Sequence, residues 1–122
     1  MKHIKTYENY NEKPKVGDYI LANIKNSIPI AHYGEYQEFI NNSIGKIIEI
    51  SYDHSEKEYY LTVKYENIPK NIEFLFHSYL EAGNISYNGE RITTSIFMND
   101  IVFYSNNKEE VQKILDAKKY NL

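Results

Sequence analysis

Two alternating runs constrain the fold more than any other feature of this chain. The first is "IGKIIEISY" (44–52) and the second is "YYLTVKYE" (59–66), with the polar stretch 53–58 between them. Successive side chains of a strand point to opposite faces, so alternation at this length predicts strands buried on one side. In the first run Ile48, Ile50 and Tyr52 alternate with Ile47, Glu49 and Ser51. In the second, Leu61, Val63 and Tyr65 share a face. Together they predict a β-hairpin with a longer loop.

The remaining segments predict what covers that hairpin. "VGDYILA" (16–22) reads as a turn followed by a strand reaching about residue 24, because Gly17 accepts a positive φ and Asp18 bonds its local backbone. Tyr36, Phe39 and Ile40 stand at i, i+3 and i+4, which predicts a short helix over 35–42. Pro69 confines "NIPKN" to a loop. Residues 72–82 fit either a helix, through Phe76, Tyr79 and Leu80, or a strand. Asn88-Gly89 is a turn signal separating "NISY" from "RITTSIF", a second hairpin, and a last strand follows over 101–104. Asn107 with Glu110 three residues on is a capping-box pattern. It opens an apolar stripe of Val111, Ile114 and Leu115 in a helix over 107–119, and Lys118 and Lys119 in its last turn complement the dipole.

The expected fold class is α+β, mainly β: a small curved sheet or partly open barrel with a short helix and a C-terminal helix. At 122 residues the chain has room for one core. Residues 1–15 read as a polar tail and 16–122 as a single globular domain. The order "VGDYILA", "IGKIIEI", "YYLTVKY" resembles SH3-like barrels over about residues 15–66. "MKHIKTYENYNEKPKVGDYILA", "FINNSIGKIIEI", "YENIP" and "FYSNNKEEVQKILDAKKYN" resemble a group of small proteins of tailed bacteriophages with AT-rich genomes. That second resemblance implies a phage setting and no residue-level role.

Composition narrows the function classes. With no cysteine there is neither a disulfide nor a thiolate metal site, and a cytoplasmic location is expected, the host cytoplasm for a phage protein. "MKHIKTYENY" has a basic start without the apolar run of a secretory signal. No apolar stretch approaches the roughly 20 residues that cross a bilayer, so no membrane role is expected. The net charge is −3, and no basic cluster exceeds Lys118-Lys119, which disfavours phosphate-dominated binding. His3, His32, His54 and His77 form no metal-ligand pair, so no metal or other cofactor is expected. Glycine-rich phosphate loops and the Gly-x-Ser-x-Gly elbow are absent, and a non-enzymatic protein is expected.

The aromatic content, 13 Tyr and 5 Phe, is the one chemical excess. Tyr33, Tyr36, Tyr79 and Tyr87 fall outside the clear strands, where a ring is freer to line a groove. Arg91 is the single arginine among 14 Lys and Arg, and it offers a planar bidentate donor. These five residues are the expected ligand-binding set. The expected function is a binding module acting during phage infection. Its partner is a host protein or a small anionic, nucleotide-like ligand, in the latter case with homo-oligomerisation building the pocket. The alternatives are a nucleic-acid-binding small barrel and a virion accessory protein.

Overall fold

The computed structural model describes residues 13–25, 27–78 and 91–120. Six strands form one antiparallel sheet: β1 (Tyr19–Ala22), β2 (Gly45–Asp53), β3 (Glu58–Lys64), β4 (His77–Ser78), β5 (Arg91–Phe97) and β6 (Ile101–Ser105). Their order is β4-β5-β3-β2-β1-β6. The sheet is open, with β4 and β6 at its two edges, so of the two expected forms the sheet is realised and the barrel is not closed. Helix α1 (Tyr33–Asn41) follows β1, and α2 (Lys108–Tyr120) follows β6. Short 3-10 segments occupy Lys70–Leu75 and Met98–Asp100.

The turn before β1 forms as its residues require. Gly17 sits at φ 97, its N–H donates to the Ile47 carbonyl at 2.8 Å, and the Ile47 N–H returns to the Asp18 carbonyl at 2.9 Å. The Asp18 carboxylate accepts the Lys15 N–H at 2.9 Å. The central hairpin is the expected one, with one change. Lys46 pairs with Lys64, Ile47 with Val63 and Glu49 with Thr62, so Ile48 is the extra residue of a bulge. The bulge shifts the phase of the alternation. Ile47 and Ile50 therefore face the core together, where unbroken alternation would put Ile48 with Ile50.

On the core face Ile20, Ile47, Leu61, Val63 and Ile96 are covered by Tyr36 and Ile40 of α1, by Ile72 of the 3-10 segment and by Phe76 just after it. Phe76 lies amid Tyr36, Phe39 and Tyr65, ring centroids 5.4, 6.2 and 6.3 Å away in edge-on arrangements. The opposite, outer face carries Leu21 and Phe103, on which Val111 and Leu115 of α2 pack. Two layers of helix thus clad the sheet, but α2 packs only on the β1 and β6 side.

Polar groups fix the helices in place. Helix α1 begins two residues before the expected start. His32 precedes it in a left-handed conformation (φ 63), and His32 Nδ1 and Glu35 Oε1 share a hydrogen bond. Asn41 and Gln37 clamp the backbone of Ile24, and Lys118 Nζ donates to the Asn41 carbonyl at the C-terminus of α1. At the start of α2 the Asn107 side chain accepts the Glu109 N–H at 2.9 Å. The Asn107 N–H donates to Ser105 Oγ, whose hydroxyl reaches Glu110 Oε1 at 2.6 Å, so the capping box runs through a serine.

The buried Tyr65 hydroxyl has no hydrogen-bond partner among the described residues. Burial, then the neighbouring Tyr36, pushes its pKa well above the usual tyrosine value. Removing an unsatisfied hydroxyl leaves the ring packing intact. Tyr65→Phe is therefore expected to leave stability unchanged or raise it by up to about 1 kcal/mol in urea denaturation. Tyr36→Phe is the contrasting case. It breaks the 2.6 Å Tyr36–Thr94 hydroxyl bond and is expected to cost about 1 kcal/mol.

Candidate functional site

Three of the five expected ligand-binding residues, Tyr33, Tyr36 and Arg91, lie among the described residues. Tyr36 is buried at 7 % exposure, with its hydroxyl bonded to Thr94, which corrects its expected place in a groove. It was already one of the three residues whose spacing marked the buried face of α1. Tyr33 is half-buried and packs its ring 5.3 Å from that of Tyr36. Burial, then the Asp100 carboxylate, raises the Tyr33 pKa and keeps its hydroxyl neutral. Arg91 is exposed on β5, but one guanidinium nitrogen donates to the Phe74 carbonyl at 3.1 Å. Tyr79 and Tyr87 lie outside the described residues, as does the Asn88-Gly89 turn.

A concavity exists elsewhere, on the outer face of the hairpin. Register places Asp53 opposite Glu58, Ser51 opposite Tyr60, Tyr60 opposite Phe97, and Thr62 opposite Ser95. These residues alternate with the core-facing Ile50, Leu61, Val63 and Ile96, so they point to the side where α2 packs. Among the described residues no helix lies over β3 and β5 on that side. The result is a shallow depression of about 250 Å³ lined by Asp53, Tyr60, Ser95 and Phe97. Phe97 keeps 37 % of its surface exposed there.

The local chemistry is acidic and aromatic. Asp53 Oδ1 accepts the Ser55 N–H at 2.9 Å, the Ser55 hydroxyl at 3.1 Å and the Glu56 N–H at 3.1 Å. The Glu56 amide foremost, with the Ser55 donors and the nearby His54, holds the Asp53 pKa below the usual carboxylate range. A lowered folded-state pKa adds stability above the unfolded-state value and loses it as pH falls through the folded-state value, so this turn weakens only in acid. Cross-strand from Asp53, Glu58 has its Oε1 buried without a hydrogen-bond partner among the described residues.

Past the end of the core on the other face, Tyr52 and Tyr59 pair edge-on at 5.0 Å, and His54 meets Tyr52 at 4.9 Å. The Lys13 ammonium lies 5.8 Å from the Tyr59 ring centroid. Among the described residues no group of three His, Asp or Glu side chains converges to hold a metal ion. No described helix is long and apolar enough to cross a membrane. No family model, curated protein or solved structure matches the chain.

Sequence reasoning passed over Asp53, Tyr60, Ser95 and Phe97. One signal was present: Tyr60 is out of phase with Leu61, Val63 and Tyr65, which puts its ring on the face away from the core. Phe97 joins it only through the β3–β5 register, which no local pattern specifies.

Proposed function

We propose that this protein is a non-enzymatic binding module of the phage-infected cell, and that its partner is a host protein held on the open half of the outer sheet face. The observation that carries this reading is the pairing of Tyr60 with Phe97 beside a depression of about 250 Å³, on a stretch of sheet that α2 leaves bare. Exposed aromatic rings beside a concavity are the usual anchors of a protein interface. The small anionic ligand is the weaker reading, because Arg91 is engaged with Phe74 and the depression carries a carboxylate in place of a cation.

Affinity capture from lysate of phage-infected cells tests this. The parent protein and Arg91→Ala are expected to retain the same host protein, and Phe97→Lys to lose it. Equal capture by Phe97→Lys, or loss with Arg91→Ala alone, contradicts the assignment of the face.

A further inference from the structure

The chemistry of the depression selects the kind of group it takes, given that the open face is the binding surface. Its volume of about 250 Å³ lies below the roughly 300–1,000 Å³ of pockets that hold whole small molecules. It therefore suits one functional group or side chain. Among the described residues that line it, Tyr60 and Phe97 are aromatic and Asp53 is a carboxylate.

The carboxylate is fixed in advance. Three donors converge on Asp53 Oδ1 and leave Oδ2 outside these bonds, so the carboxylate loses little side-chain freedom on binding. Glu58 stands directly opposite on the same face, and like charges in that relation repel. Among the described residues no lysine or arginine pairs with either carboxylate, and Glu58 Oε1 is buried without a hydrogen-bond partner. A cation seated against Tyr60 and Phe97 would relieve that repulsion and meet the negative faces of both rings.

We propose that this depression is a binding site for an organic cation, a guanidinium or alkylammonium group, with Asp53 as counter-charge and Tyr60 and Phe97 as walls. The same chemistry is presented by an Arg or Lys side chain of a partner protein and by a free polyamine.

Amide NMR titration of the full chain tests the site. The probes are agmatine, an acetylated and amidated Gly-Arg-Gly peptide, and butylurea as an uncharged analogue. Agmatine is expected to shift the Tyr60, Ser95 and Phe97 amides with a Kd on the order of 1 mM, as befits a single exposed charge and two rings. Asp53→Asn keeps the Oδ1 acceptor that the turn needs and is expected to weaken agmatine at least tenfold. Phe97→Ala is expected to weaken it several-fold, and butylurea to shift nothing. Tighter binding of the peptide than of agmatine supports the site with a protein side chain as its source, and the reverse order supports it with a free polyamine. The proposal is overturned if agmatine shifts no outer-face amide, if it binds Asp53→Asn equally well, or if butylurea matches it. If agmatine fails while Phe97→Lys still loses the captured partner, the cation site falls and the binding face stands.

Discussion

Gly45→Ala is expected to destabilise the protein by about 3 kcal/mol or more, the upper range for overpacking a well-filled core. Gly45 opens β2 opposite Ile20, and a methyl group there would collide with Val63 Cγ1 and stand 2.7 Å from Tyr65 Cζ and 2.9 Å from Tyr65 Cε1. The Tyr65 ring is 1 % exposed and walled by Phe39 and Phe76, so it cannot swing away. Either the start of β2 separates from the end of β3 or the ring is expelled. Urea denaturation followed by far-UV circular dichroism reads the loss as a lower midpoint. A midpoint equal to the parent's would show that the strands do not approach this closely.

Phe76→Ala is expected to cost about 3–5 kcal/mol, the cost of emptying a buried aromatic site. The ring is fully buried, and its edge-on partners Tyr36, Phe39 and Tyr65 come from α1 and from the end of β3. Deleting it removes the contact that joins the 3-10 segment to both. The internal control lies two residues earlier. Phe74 is 49 % exposed, and Phe74→Ala is expected to change stability by less than about 0.5 kcal/mol. Equal losses at the two positions would mean that the 3-10 segment packs in another phase.

The secondary structure was legible where one face of an element is buried. The Leu61, Val63, Tyr65 stripe and the Tyr36, Ile40 pair both reach the core as their spacing predicts. The Ile48 bulge was not legible, because "KIIEI" supports two phases and only pairing with Val63 and Thr62 selects one. The start of α1 was missed because a left-handed His32 precedes the helix where Ser, Thr, Asp or Asn would signal a cap. Residues 72–82 stayed ambiguous because the stretch changes conformation within itself. It completes a 3-10 segment at Leu75 and then pairs His77 with Thr93.

The site was less legible than the fold, for a physical reason. A ring's burial depends on which elements meet over it, and that is a long-range property. The phase of Tyr60 puts its ring off the core stripe, but its place in an open depression follows from the lack of any described helix over β3 and β5, while Tyr36 closes the core. Arg91 is the single arginine, and it donates to the 3-10 segment through the Phe74 carbonyl.

The proposed working surface is the outer face of β3 and β5. Hydroxyl-radical footprinting of the free protein, and then of its complex with the captured partner, tests that most directly. Phe97 and Tyr60 are expected to oxidise readily in the free chain and to be protected in the complex, while Tyr52 and Tyr59 react alike in both. Protection confined to Phe74 and Tyr33, with Phe97 equally reactive in both states, would contradict it.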